Sequence, residues 1–481
     1  MTACIEHRFP GFTSGTMISN EELCTTGSDH AVITWVTSQP CPVITVYIGE
    51  DPAQLTGMTA VSNSRYHQVE LTGLKPGTQY WYQVESGGAR GPLNLFQTLP
   101  VPEGMYLFSF AVISDTHIPA GNILDDANKL YFGKLSEYAD VLMAQSITDV
   151  KKRKVDLVVF TGDLTDTARR TQYLKLRNQL LPRLGDTPRY LCIGNHDKFT
   201  NYGGVGERGF TEYLTGGKPA CQSAVFGERQ FVMLDSCRQN DNWGHLDDGQ
   251  LCWLESVLGM NGGRPVFIFL HHPCNGFDLW FGLKNHRDFK KIIKRYPSVQ
   301  GVFCGHMHRN RVTTDRLIAG YVPFVEIPAT VQFPCAYGVI KVYEQGFEYS
   351  SYKVGRLDLS EMSRERFILK NGGKAIFSRY SFGGMADRSF ALYNGRMYRP
   401  KLYELSVTLE DQKAVKLFTD AQLHDGASLA PFEPGRTRVL LGRFQSLRAA
   451  RLMQKQKLSL YNVNIQIKEE GSHESSITIK E

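Results

Sequence analysis

Five short clusters carry the side chains able to do chemistry. They are Asp115-Thr-His117, Gly162-Asp163-Leu-Thr-Asp166, Gly194-Asn195-His196-Asp197, His271-His272-Pro273 and Gly305-His306-Met-His308. Together they offer carboxylate, imidazole and amide groups, a nitrogen and oxygen mix that suits divalent first-row metals such as Mn, Fe, Co or Zn. Asp115 and His117, one residue apart, can reach a single ion. His306 and His308, also one residue apart, can point at two different ions from one turn. A carboxylate between the ions would hold them ~3.5–4 Å apart, the spacing that clamps attacking and leaving oxygens in an in-line displacement. Water on such an ion becomes hydroxide near neutral pH, its pKa lowered to ~7 in favourable sites.

Each cluster follows an apolar run of strand type. Leu107–Ile113 precedes Asp115, Val155–Phe160 precedes Gly162, and Arg189–Ile193 precedes Gly194. Pro265–Leu270 precedes His271, and Val302–Cys304 precedes Gly305. Ligands in open α/β sheets lie at the carboxyl ends of the strands, which is where these clusters fall. A long helical stretch is expected from about Lys129 to Lys152, and an amphipathic helix starting near Asp247. Gln230–Leu234 and strands between about Val322 and Tyr352 complete an alternating α/β region. The glycines of Asn201-Tyr-Gly-Gly-Val-Gly206 read as a mobile loop beside the site.

Five motifs in this order, with strand context, resemble the calcineurin-like metallophosphoesterase superfamily over about residues 107–345. The resemblance implies a two-sheet sandwich flanked by helices, with a dinuclear site at the strand ends. By position it implies Asp115, His117 and His308 at the first metal, Asn195, His271 and His306 at the second, and Asp163 bridging. His272 is the alternative strand-end ligand, although the family uses the first histidine of that pair. His196 would act near the leaving group, as general acid or as hydrogen-bond donor to phosphate, with Asp197 orienting it. Asp166 reads as a carboxylate behind the ligands. Purple acid phosphatases place tyrosine at the position of Asp166 and lack the equivalent of His117, so a tyrosinate-bound ferric ion is not expected. The Asp-Arg-Gly extension of Ser/Thr protein phosphatases is absent after Gly162-Asp163. The segments Gly244…Leu246…Gln250-Leu-x-Trp-Leu254 and Pro328-Ala-Thr…Phe333-Pro334 are typical of the class III cyclic-nucleotide and glycerophosphodiester phosphodiesterase group.

The leading function is therefore a dinuclear metal-dependent phosphoester hydrolase, a phosphodiesterase using metal-bound hydroxide for in-line attack. Two alternatives stand beside it: a non-purple phosphomonoesterase of the same superfamily, and a binding or scaffold protein with a vestigial metal domain. The loops at about 118–128, 199–220 and 275–285, with Tyr202, Arg208, Trp280 and Phe281, would choose the substrate. No basic, aromatic-lined groove of the kind a nuclease needs stands out near the motifs.

Around this catalytic region, placed at 105–353, lie other modules. Residues 28–99 read as short strands, including Ala31–Val36 and Val43–Ile48. The run from His67 to Val84, with Leu74, Pro76-Gly77, Tyr80 and Tyr82, resembles the fibronectin type III signature and implies a small β-sandwich. Such a domain either shapes substrate access or acts as a spacer. Residues 354–398 form a linker or extension with a helix at Leu359–Phe367. Residues 399–468 repeat strand-helix-strand twice, the order of a ferredoxin-like α+β module. Val439–Ser446 with the helix after it resembles the SPOR repeat family, which implies cell-wall glycan binding; the plainer reading is packing or dimerisation. The tail 469–481 is polar and reads as disordered.

Composition narrows the rest. The chain has 481 residues, 42% of them hydrophobic and 21% charged, enough for about three domains with ordinary cores. Its net charge of +6 suits a small anionic phosphoester but is too diffuse for nucleic acid. The ten cysteines have no Cys-x-x-Cys pairing, a usage that favours a reducing compartment. Met1-Thr-Ala-Cys-Ile lacks the apolar core of a signal peptide, and no run reaches the ~18 apolar residues of a spanning helix. A cytoplasmic protein without membrane attachment is the expectation.

Overall fold

The structure is a computed structural model that describes residues 15–120, 133–274, 281–424, 426–433, 435–461 and 465–470. Parts of the expected loops at 118–128 and 275–285, Trp280, the first residues of the expected 129–152 helix and the tail beyond 470 lie outside the described residues. So does the side chain of Tyr202. Backbone contacts divide the chain into two compact units. No described helix is long and apolar enough to cross a membrane. All nine cysteines among the described residues are free.

One unit runs from Pro102 to Phe367 and includes Leu392–Arg396. Its first sheet places Gly346–Lys353 beside Ala336–Tyr343, then Tyr106–Ile113, Leu157–Thr161 and Arg189–Cys192. The last three strands are mutually parallel. The second sheet orders Gln222–Phe226, Arg229–Met233, Val266–Phe269, Val299–Cys304, Pro323–Glu326 and Arg311–Thr314. Its four middle strands are parallel, and both outer strands are antiparallel to their neighbours.

Parallel strands buried on both faces need continuous apolar runs, which these are. Phe110 of the first sheet meets Phe231, Phe267, Phe269 and Phe303 of the second at ring distances of 5.2–6.1 Å. This aromatic layer bolts the sheets together and brings their carboxyl ends to one edge. A second core, with Leu254, Leu258, Phe289 and Ile293, joins the helices Asp248–Gly259 and His286–Arg295 to the outer face of the second sheet. Asp247 caps the first of these helices, accepting from the Gln250 amide at 2.8 Å.

The expected 129–152 helix is shorter than its sequence pattern. A 3-10 turn occupies Ser136–Tyr138 and the α-helix begins at Ala139. The Leu135 amide is bonded to the Val331 carbonyl instead of entering the helix. The glycine-rich 201–206 stretch holds a 3-10 turn at Asn201–Gly203 and is tied down by Val205 N, bonded to Ala168 O at 2.8 Å.

The other unit joins the described residues up to Val101, Ile368–Ala391 and those from Met397 onward. The two expected strands at 31–36 and 43–48 are one strand, His30–Gly49, whose register shifts near Cys41 let it bend without breaking. Tyr80 and Tyr82 are buried, and the Tyr80 hydroxyl accepts from the Lys75 amide at 2.9 Å. The C-terminal module has the strand order Gln466–Glu469, Tyr403–Glu410, Arg436–Phe444, Ser428–Glu433, the ferredoxin-like arrangement. Its Ser428–Glu433 strand pairs in parallel with Ile18–Thr26. Met17, Val36 and Leu95 therefore share a core with Leu405, Leu441 and Phe444. Buried Arg388 ties the Leu23 and Cys24 carbonyls to Glu470. The 354–398 extension is divided between the units: most of the helix Leu357–Lys370 belongs to the first, and the helices Ile376–Phe382 and Met385–Arg388 belong to this one.

Candidate metal centre

All seven candidate ligands meet at the carboxyl edge of the two sheets. Five of them leave their strands through left-handed backbone: Asp115 (φ 50°), His117 (42°), Asp163 (49°), His306 (71°) and His308 (50°). Non-glycine residues in this region cost of order 1–3 kcal/mol each, and such strain gathers at functional sites. The loops are locked to one another. Asp115 N bonds Gly162 O at 3.1 Å, His117 N bonds Asp163 O at 2.9 Å, and Gly305 N bonds His271 O at 3.0 Å. Two glycines permit this approach. A Cβ on Gly162 (φ 98°) would lie 2.6 Å from His271 Nδ1, and one on Gly305 would collide with Ser114 Oγ and Asp115 Oδ2.

The side chains form two groups that share one carboxylate. In the first, His308 Nε2 lies 3.3 Å from Asp115 Oδ1 and 3.2 Å from His117 Nε2. Asp163 Oδ2 is 3.5 Å from the same His117 nitrogen. In the second, Asn195 Oδ1 lies 3.0 Å from His271 Nε2 and 3.1 Å from His306 Nδ1, with the two imidazole nitrogens 3.2 Å apart. Asp163 Oδ1 is 3.3 Å from His271 Nε2. The two oxygens of Asp163 thus face different groups.

Outer hydrogen bonds settle which atoms carry lone pairs. His308 Nδ1 donates to Gln332 Oε1 at 2.8 Å, and His271 Nδ1 donates to the Thr161 carbonyl at 2.8 Å. His117 Nδ1 makes no hydrogen bond of good geometry, but the Asp166 carboxylate lies beside it, with Oδ1 at 3.3 Å. The Asn195 amide nitrogen donates to Asn242 Oδ1 at 3.1 Å, which turns its oxygen inward. Imidazole lone pairs, an amide oxygen and carboxylate oxygens therefore converge at 3.0–3.5 Å in a buried place. Such an arrangement repels itself unless a cation sits within it, so the residues fit divalent metal.

Without metal, a proton takes part of that role. Burial alone would lower His271, but the Asp163 carboxylate, its hydrogen bond and Asp115 raise it to about 9. Burial is also the largest influence on Asp163 and would raise it, yet His271 and His196 hold it well below the usual carboxylate range. Burial, with the Lys134 charge, pushes His117 down to about 3. Burial and the neighbouring imidazoles of His272 and His271 push His306 well below its ordinary value.

His196 stands at the mouth, its side chain 21% exposed and its Nε2 4.0 Å from Asp163 Oδ2. Its orientation corrects the sequence expectation. Asp197 does not touch the ring: its carboxylate accepts from Leu164 N, Thr165 N, Thr165 Oγ1 and Gly194 N. The buried carboxylate is consumed by backbone donors that tie the Asp163 loop to the Asn195 loop. His196 Nδ1 instead donates to the Asp166 carbonyl at 2.6 Å. His272 packs its ring 4.6 Å from that of His306, but its nitrogens are engaged elsewhere, Nδ1 with Ser236 Oγ at 2.9 Å and Nε2 with the Asn242 carbonyl at 3.2 Å. Gln332, Asn242 and Lys134, whose Nζ donates to Asp166 Oδ1 at 2.6 Å, were not singled out by sequence. Only the neighbouring Phe333-Pro334 signature pointed near one of them.

Residues 108–310 match the calcineurin-like phosphoesterase family, and residues 21–98 match the N-terminal domain of purple acid phosphatase. The chain is 29% identical over 211 residues to the probable glycerophosphodiester phosphodiesterase GpdQ of Arcobacter nitrofigilis, a match covering 42% of this chain and 72% of that one. It is 29% identical over 211 residues to a 3',5'-cyclic-nucleotide phosphodiesterase of Nostoc sp., covering 42% and 71%. It is 30% identical over 189 residues to a probable cyclic nucleotide phosphodiesterase of Synechococcus sp., covering 38% and 68%.

Proposed function

The chain belongs to the calcineurin-like phosphoesterase family, and from that footing we propose that it hydrolyses small anionic phosphodiesters with two divalent cations. Asp115, His117 and His308 would hold one ion, and Asn195, His271 and His306 the other, with Asp163 shared. The observation that carries this reading is the division of the Asp163 oxygens, Oδ2 toward His117 and Oδ1 toward His271. Bound there, Mn, Fe, Co or Zn supplies Lewis acidity and an activated water for in-line displacement at phosphorus.

The remaining work falls to the chain. His196, anchored through Nδ1 to the Asp166 carbonyl, keeps Nε2 free at the mouth. In its protonated form that nitrogen donates to the departing oxygen; in either form its ring closes one side of the site against Phe199, at a ring distance of 4.7 Å. Asp197 keeps the Asp163 and Asn195 loops in register through its four accepted bonds. The preference for diesters rests on relatives named as glycerophosphodiester and cyclic-nucleotide phosphodiesterases.

The outer modules receive plainer roles. We read residues 28–99 as fibronectin type III-like, from the buried Tyr80 whose hydroxyl pins the Lys75 amide. The C-terminal module serves packing rather than glycan binding, because one edge of its sheet is paired to the strand Ile18–Thr26. The free thiols agree with a cytoplasmic setting.

The test uses full-length protein stripped of metal and reloaded with Mn, Fe, Co or Zn. Turnover is compared on bis(p-nitrophenyl) phosphate, p-nitrophenyl phosphate, a cyclic nucleotide and a glycerophosphodiester. Hydrolysis of a diester that needs metal and disappears in Asp163→Asn is expected. Two bound metals with no turnover on any ester would refute the enzyme; faster turnover of the monoester would refute the diesterase assignment.

A further inference from the structure

Lys134 is buried beside a site built to collect cations. Its ammonium lies 2.6 Å from Asp166 Oδ1, and that same oxygen is 3.3 Å from His117 Nδ1. The lysine side chain is 8% exposed and that of Asp166 is 5% exposed. A buried ammonium is costly unless paired, so its presence next to a metal ligand calls for a reason. The backbone delivers it firmly. Ser363 Oγ donates to the Gly133 carbonyl at 2.6 Å on one side, and Leu135 N bonds Val331 O at 2.8 Å on the other. Asp166 stands three residues after Asp163, in the loop that carries the shared carboxylate, and its own side chain points at His117.

We propose that Lys134 is a positioning residue of the metal centre: its ammonium holds Asp166 behind His117, and so sets how tightly the Asp115–His117–His308 group binds a divalent cation. With Lys134 in place, Asp166 orients the imidazole and its negative charge is largely spent on the ammonium. Without Lys134, the carboxylate turns its full charge on the metal group. Without the carboxylate, the ammonium repels the incoming cation and His117 loses its outer partner. The two halves of the pair therefore act on metal affinity with opposite sign, which a purely structural ion pair would not do. This inference rests on the metal-centre reading above.

The experiment titrates metal-free, full-length protein with Co(II) alone, using chelator competition for affinity and the visible ligand-field spectrum for coordination. Asp166→Asn is expected to weaken binding about 10- to 100-fold, the range found for outer partners of metal-bound histidine. Lys134→Met is expected to tighten binding and alter the Co(II) spectrum, and the double variant to fall between the singles. Lys134→Arg, which keeps the charge, is expected to stay near wild type. Circular dichroism confirms that each variant is folded. Equal weakening by Lys134→Met and Asp166→Asn, or no change in either, would overturn the proposal. Wild-type protein that takes up no Co(II) would overturn the metal centre itself, an outcome distinct from the first.

Discussion

Metal uptake should release one proton from His271, and its pH dependence follows from the structure. In the metal-free site burial would lower His271, but the Asp163 carboxylate facing its Nε2, with Asp115 beyond it, raises it to about 9. His117 at about 3, His306 well below its ordinary value and the depressed Asp163 and Asp115 carboxylates carry no proton at neutral pH. Metal must therefore displace the His271 proton. At pH 7, two units below its pKa, that displacement costs about 2.7 kcal/mol, or about 100-fold in affinity. The apparent association constant should rise about tenfold per pH unit up to about pH 9 and then level off. Chelator competition across that range measures the slope, and calorimetry in two buffers of different ionisation enthalpy counts the proton. His271→Asn should flatten the slope. A pH-independent affinity in wild type, or no proton released at pH 7, would refute the reasoning.

The same group gives a stability signature with a definite sign. Its folded pKa lies above the ordinary value of 6.5, so the metal-free protein has the full contribution below that pH. The contribution is lost as pH rises through about 9, roughly 3 kcal/mol in all. Metal-free protein should lose melting temperature over that window, and metal-loaded protein should not.

Three further outcomes are expected. His196→Ala should slow esters with poor leaving groups by about 10²–10⁴-fold while sparing p-nitrophenyl esters, if Nε2 donates to the leaving oxygen; equal losses on both, in steady-state rates, would contradict that role. Gly305→Ala should force the Asp115 loop from its place, costing about 1–3 kcal/mol by denaturant unfolding and lowering Co(II) occupancy, because the new methyl collides with Ser114 Oγ and Asp115 Oδ2; unchanged stability and occupancy would speak against the locked loops. Leu405→Ala, in the core shared by the two ends of the chain, should cost about 2–5 kcal/mol. Limited proteolysis should then expose the N-terminal strands together with the C-terminal module, whereas cleavage confined to the module would deny the shared core.

The gathering of the seven candidate ligands was legible because their positions are local. Each candidate donor follows an apolar run by one to four residues, and parallel strands all end at one edge, so order along the chain becomes proximity in space. What supports the donors was not legible. Gln332 and Lys134 come from segments far from the residues they serve, His308 and Asp166, and neither sits in a periodic or punctuated pattern. Asp197 shows a related limit. Its place beside His196 in sequence suggested a partnership, but the 3-10 turn at His196–Lys198 sends the ring outward and the carboxylate inward to backbone donors. Adjacent residues in a tight turn point in different directions, so adjacency was the wrong guide.

The N- and C-terminal regions were read as separate modules because each has its own complete pattern of strands and turns. Sequence periodicity describes an element's faces but not its edges. The parallel pairing of Ser19 with Leu429, and the core joining Met17 to Leu441, depend on an edge left open by both modules. An exposed edge strand is an aggregation hazard that must be covered, and here each region covers the other. The C-terminal strands thus stand in for a missing neighbour of the N-terminal ones. That accounts for a module at the far end of the chain without requiring it to carry any chemistry of its own.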